Sequence, residues 1–238
     1  MSSTEHIVRS YDQELKRLKT LLTDMGGITE SQVAQATLGL LKRDVAAATR
    51  AVAADPRVDE LEREVEALVI RMLALRQPVA DDLRQIVAAL KISAGLERVG
   101  DYATNVAKRS IVLGQSIRVI NLAGFAHMTD LVQRNLKLIV DAVGENDAAK
   151  ALEVWRSDQA IDDVYNGIFR ELITYMMEDP RSITACTHMM FIAKNLERIG
   201  DKATNIAEIL HYAVTGVPIV GERPKGESSA GIIVQEKD

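Results

Sequence analysis

Leu96-Glu97-Arg98-Val99-Gly100-Asp101-Tyr102-Ala103-Thr104-Asn105-Val106-Ala107 returns one hundred residues later as Leu196-Glu197-Arg198-Ile199-Gly200-Asp201-Lys202-Ala203-Thr204-Asn205-Ile206-Ala207. Nine of the twelve positions are identical and two more exchange valine for isoleucine. Apolar residues recur here every three to four positions, the period of a helix with one buried face. Ile92, Leu96, Val99, Ala103 and Val106 lie on one side, as do Ile192, Leu196, Ile199, Ala203 and Ile206 in the second copy. The duplicated segment is therefore helical, and its buried face is the same in both copies.

The repeat extends outward from this helix. Asp55-Pro56-Arg57-Val58-Asp59 pairs with Asp158-Gln159-Ala160-Ile161-Asp162, Pro78 with Pro180, and Gly114 with Gly216. The same periodicity runs through Leu61, Val65, Leu68, Met72 and Leu75, and through Leu83, Ile86, Val87, Leu90 and Ala94. Six helices are expected, over roughly 6–53, 56–76, 79–113, 118–146, 150–178 and 181–214. Asp55-Pro56 and Asp179-Pro180 read as helix N-caps followed by proline at the first position, and Gly114 and Gly216 as C-terminal caps. Gly26-Gly27 marks a kink, or a new start at Thr29. The fold class is all-α, with two tandem three-helix bundles related by duplication. The first repeat spans 1–115 and the second 116–215. The stretch 216–238, rich in glycine, proline and serine, is expected to be a disordered tail.

Composition agrees. Hydrophobic residues make up 47% of the 238 and charged residues 26%, while aromatics are only 4%, which suits close-packed helices better than sheets. The net charge of −5 and the lack of a basic cluster exclude a nucleic-acid binder. Cys186 is the single cysteine, expected as a core residue in a reducing compartment. No apolar run reaches membrane-spanning length and the N-terminus lacks a signal core, so a cytoplasmic protein is expected, reaching a membrane only through partners.

On the face opposite the apolar stripe, Glu97, Asp101 and Asn105 line up four residues apart, as do Glu197, Asp201 and Asn205. Asp55/Asp59 and Asp158/Asp162 share that spacing. Like charges four apart disfavour a helix slightly, so their duplication calls for an offsetting gain. A bound cation supplies one: carboxylate and amide oxygens suit magnesium, calcium, manganese or iron. The other reading is a solvated face paired to Arg98, Arg198 and Lys108. Asp55 alone is better explained as an N-cap. Gly100 and Gly200, each costing about 1 kcal/mol in mid-helix, point to the close approach of a ligand or a helix. Around the first stripe Glu62 and Glu66 add carboxylates where the second repeat has Tyr165 and Phe169. A di-iron oxidase needs two inward Glu-x-x-His motifs, and only Glu208-Ile209-Leu210-His211 matches. With no nucleophile–base set and no phosphate loop, an enzyme is not expected.

The doubled Leu-Glu-Arg-[Val/Ile]-Gly-Asp-x-Ala-Thr-Asn-[Val/Ile]-Ala segments, with the Asp-x-x-[Val/Ile]-Asp elements and Lys91-Ile92-Ser93, closely resemble the PhoU family over about residues 5–215. The resemblance implies a cytosolic accessory protein of high-affinity phosphate transport. Such a protein represses the phosphate-starvation (Pho) regulon by linking the Pst transporter, through its ATPase subunit PstB, to the sensor histidine kinase PhoR. It also implies a homodimer, and iron or zinc on the Glu/Asp-x-x-x-Asp motifs, here Glu97/Asp101 and Glu197/Asp201 with Asp55/Asp59 and Asp158/Asp162 as partners. One position departs from the family pattern: a polar residue precedes the motif by two in the second copy, Asn195, but the first has Gly95. The alternative function is a helical carboxylate protein that binds or stores metal.

Overall fold

The computed structural model describes residues 3–76, 78–114 and 121–221, with side chains from Tyr11 onward. The described residues form seven α-helices and one 3-10 turn: α1 Ser3–Lys42, α2 Val45–Arg76, α3 Ala80–Gly114, α4 Ala123–Glu145, α5 Ala148–Arg156, α6 Asp158–Glu178 and α7 Ile183–Thr215, with the turn at Pro180–Ser182. No strand occurs among the described residues. Helices α1–α3 form the first bundle. In the second, α5 and α6 meet at Ser157 and together occupy the place of the single expected fifth helix, between α4 and α7. The expected tail beyond Gly221 lies outside the described residues.

Two expected boundaries change. The first two helices do not part at Asp55-Pro56; the chain turns at Arg43, in left-handed conformation at φ 55°, and Asp44 caps α2 by accepting from the Ala47 N–H at 2.9 Å. No glycine or proline marks this turn, so pattern reading passes through it. Pro56 instead sits inside α2. It forfeits a hydrogen bond there at a cost of about 3 kcal/mol. Ala47, Ala48 and Ala51 before it and Val58, Leu61 and Val65 after it are all buried. One continuous α2 buries that whole stripe, and about 1.5–3 kcal/mol for each large side chain outweighs the lost bond. Asp55 is therefore not an N-cap. The fifth helix divides because Asp147 caps α5, accepting from the Ala149 and Lys150 N–H groups, and Asp158 opens α6 while 2% exposed. Gly26-Gly27 does not split α1, which runs on through it. Gly216, left-handed at φ 73°, caps α7 as expected, and Asp179 caps the 3-10 turn.

The duplicated helices α3 and α7 pack against each other more extensively than any other pair. They run antiparallel: Arg84 meets Gly216, a Cβ on Gly95 would fall 2.9 Å from Ile206 Cγ1, Arg198 lies over the Tyr102 ring, and Arg109 lies over Phe191. Gly95 is thus explained by packing, because a larger residue would push α7 away. Helix α1 crosses α4, where a Cβ on Gly26 would fall 2.6 Å from Val140 Cγ1. One continuous apolar core includes Met25, Leu61, Leu96, Leu136, Cys186 and Leu196 and spans both bundles.

Candidate functional site: two carboxylate clusters beside the α3–α7 seam

Every apolar residue assigned to the two motif stripes is buried, from Ile92 to Val106 and from Ile192 to Ile206. Their acidic faces consequently point away from the core. In the first cluster, burial and the charge of Asp101, with smaller pushes from Glu62 and Asp59, raise the Glu97 carboxyl to about 7 against an opposing pull from Arg98. Glu62 is raised too, mainly by burial and then by Asp59 and Glu66. Helix α2 therefore delivers Asp59 and Glu62 to the Glu97/Asp101 pair of α3. Arg98 is the cation that answers them, donating to Asp101 Oδ2 at 3.2 Å and lying 3.6 Å from Glu97 Oε2.

The second cluster is smaller. Burial raises Glu197, Lys194 pulls it down, and Asp201 and Asp162 push it up. Lys194 Nζ donates to Glu197 Oε1 at 2.7 Å and lies 5.2 Å from the centre of the Tyr165 ring. The Tyr165 and Phe169 rings lie 6.3 Å apart, tilted at 41°, so the aromatic pair stands where the first repeat has Glu62 and Glu66. Glu197 Oε2 is buried with no hydrogen-bond partner. The cation expected to serve this motif, Arg198, is over Tyr102 instead, and Lys194 takes its place.

Asp55 and Asp158 are turned into the bundles. Asp55 Oδ1 accepts from Gln32 Nε2 at 3.1 Å, and the same amide reaches Thr104 Oγ1 at 2.9 Å. Asp158 Oδ1 accepts from Thr204 Oγ1 at 2.9 Å. Each aspartate thus ties its helix to the motif threonine, a role that leaves Asp59 and Asp162 as the partners facing the clusters. The sequence reading placed Gln32 only in a possible helix start at Thr29 and passed over the two threonines, although the Thr-Asn pair kept in both copies of the repeat was the available signal. Asn105 is exposed and Asn205 half-buried on the same stripes. Gly100 and Gly200 admit helices: a Cβ on Gly100 would meet Gln32 Oε1 at 3.0 Å, and one on Gly200 would meet Ile161 Cδ1 at 2.7 Å.

Among the described residues, no three Asp, Glu, His or Cys side chains converge on one point as a metal ion requires. The donor sets nevertheless fit a hard cation in chemistry: both are all-carboxylate, burial and the neighbouring Asp101 raise Glu97 of the first to about 7 despite Arg98, and the second contains an orphaned buried oxygen. Loading either would require side-chain rotation.

The PhoU domain family model matches residues 22–110 and again 125–210, once on each bundle. The chain belongs to the PhoU family. A Caulobacter vibrioides protein named phosphate-specific transport system accessory protein PhoU homolog is 51% identical over 223 residues, covering 93% of this chain and 97% of its own. A Rhizobium meliloti PhoU homolog of the same name is 44% identical, with 96% and 97% covered. PhoU from Pseudomonas aeruginosa has a similar structure, at TM-score 0.85 and 38% identity over 87% of this chain and all of that one. The phosphate transport system regulatory protein PhoU from Streptococcus pneumoniae follows at TM-score 0.81 and 28% identity, covering 88% of this chain and 99% of that one. No described helix is long and apolar enough to cross a membrane.

Proposed function

We propose that this chain is a cytosolic, non-enzymatic regulator of phosphate uptake that represses the phosphate-starvation regulon by protein contact. The observation that carries the reading is the doubled motif, set on two antiparallel helices in a chain that matches proteins named as phosphate-transport accessories over nearly their whole length. Its contacts are the ATPase subunit of the phosphate transporter and the sensor kinase PhoR, and it pairs with a second copy of itself. Long paired helices with charged outer faces suit such docking, since charge complementarity sets which partner binds and how fast. Asp59, Glu62, Glu97 and Asp101 would hold a cation in the first repeat, and Asp162, Glu197 and Asp201 one in the second. A cation there would supply counter-charge that fixes the stripes for a partner. The residues themselves do the rest: Asp55 and Asp158 hold α2 and α6 in register with the motif threonines, while Arg98 and Lys194 neutralise part of each cluster.

A strain deleted for this gene, grown in abundant phosphate, tests the reading through alkaline phosphatase. The enzyme should be switched on and silenced again by the wild-type gene. Unchanged phosphatase together with altered metal or oxidant tolerance would replace the regulator with a metal-handling protein.

A further inference from the structure

The duplicated helices carry their carboxylates on their outer flanks, but the edges they turn toward each other are basic. On α3, Arg84, Lys91, Arg98, Tyr102 and Arg109 fall within about 40° of one another around the helix axis. They make one row about 37 Å long. On α7, Arg198 and Lys202 stand at the positions of Arg98 and Tyr102. The fold sets the two rows side by side. Arg198 lies 5.7 Å over the Tyr102 ring, Arg109 lies 4.1 Å over Phe191, and Arg84 and Lys91 share a groove with Ile209 and Tyr212. Because the cations come from helices 100 residues apart, no cluster is visible along the chain.

Lys91, Arg109, Arg198 and Lys202 make no ion pair among the described residues, in a chain whose 34 acidic side chains outnumber its 29 basic ones. Arg109 and Arg198 rest on aromatic faces instead, which orders the guanidiniums before any ligand arrives. Arg84 pairs with Asp81 through Nη2 but keeps Nε buried without a partner. Crowding like charges along one seam costs self-repulsion, which an acidic ligand relieves. Both ends of the seam add exposed apolar side chains. Leu83, Val87 and Tyr212 stand at one end and Val112, Ile183 and Phe191 at the other, all 36% to 49% exposed. The first set lines the groove that holds Arg84 and Lys91, a concavity of about 400 Å³. A contiguous apolar set in a concavity marks a surface that something covers.

We propose that the seam between α3 and α7 is the docking surface for an acidic amphipathic helix of a partner protein. Its carboxylates meet Lys91, Arg109, Arg198 and Lys202, and its apolar residues meet the two ends. The groove between two antiparallel helices is where a third helix packs, and one of about 25 residues spans this seam. The flanks decide for a helix over a broader anionic surface such as a bilayer. Glu97/Asp101 border the seam toward α2 and Glu197/Asp201 toward α6, so a flat surface would meet carboxylates on both sides, while a single helix lies between them. The proposal rests on the reading of this chain as a regulator that works by protein contact, and not on which genes respond to it.

Photocrosslinking of the full chain in growing cells tests the proposal. The photoreactive residue p-benzoylphenylalanine replaces Ala94, exposed between Lys91 and Arg98, or Arg134, exposed on α4 outside the seam. Mass spectrometry identifies the segment attached to each. Position 94 should cross-link at least about tenfold more than position 134, to a helical segment of another protein that bears Asp or Glu on one face. Lys91→Glu combined with Arg198→Glu should cut that product about tenfold or more, because like charges then face each other. Both side chains are exposed, so the double variant should keep the wild-type circular dichroism. Equal yields at the two positions, no product at 94, or a product that survives the charge reversal would overturn the proposal. Adducts with lipid alone, or with a second copy of this chain, would overturn it as well and give the seam to that occupant. The expected product in a strain whose phosphatase ignores deletion of the gene would keep the docking surface and remove only the phosphate role.

Discussion

Replacing Glu97 with glutamine tests the electrostatics of the first cluster directly. Its carboxyl is held near 7 in the folded protein, against 4.5 for the free side chain, with burial the leading cause and Asp101 the next. The raised value means that the folded state keeps a proton the unfolded chain has released. Stability is therefore lost as pH rises from about 4.5 through 7, and the full cost stands above that. At about 1.36 kcal/mol per pH unit the shift has a ceiling near 3 kcal/mol. The side chain keeps 21% exposure and Arg98 lies beside it. Solvent screening brings the expected cost down to about 1–2 kcal/mol. Metal-free Glu97→Gln should thus be more stable than wild type by about 1–2 kcal/mol at pH 8, equivalent to roughly 2–8 °C in Tm for a chain of this size. At pH 5 most of the difference should vanish. Urea unfolding of both proteins at the two pH values measures it. A variant destabilised equally at pH 5 and pH 8 would mean that Glu97 contributes packing rather than a strained charge.

The same clusters predict that Asp101→Ala combined with Asp201→Ala, purified without chelator, carries much less iron, zinc, manganese or magnesium than wild type while its far-ultraviolet circular dichroism is unchanged. Equal metal by elemental analysis in both would leave the stripes as solvated surface. Two glycine-to-alanine changes should move stability in opposite directions under thermal denaturation. Gly27, with nothing within 4 Å of a built Cβ in mid-α1, should gain about 0.5–1 kcal/mol as alanine. Gly200, where that carbon would lie 2.7 Å from the buried Ile161, should lose about 1–3 kcal/mol. A neutral or stabilising Gly200→Ala would refute the close α6–α7 approach.

By itself the sequence determined the helical class, the duplication and the two acidic stripes, because each rests on spacing within one helix. Local geometry makes residues four apart share a face whatever surrounds them, so Glu97/Asp101 and Glu197/Asp201 were legible along with the buried stripe behind them. The cap at Gly216 was legible for the same reason, a left-handed residue being a local requirement. Contacts between helices were not. Asp55 reads as an N-cap until α2 is seen to run through Pro56, and only the packed bundle shows its carboxylate meeting Gln32 from α1. The turn at Arg43-Asp44 has no breaker residue; it is set by the register in which α1 and α2 bury their apolar faces. Gly95 looked like a flaw in a site until α7 was found to cross there. Leu83 and Val87 carry the same spacing as Ile86, yet tertiary structure leaves them in the open, because periodicity states which residues share a face and says nothing of whether a partner helix extends far enough to cover it.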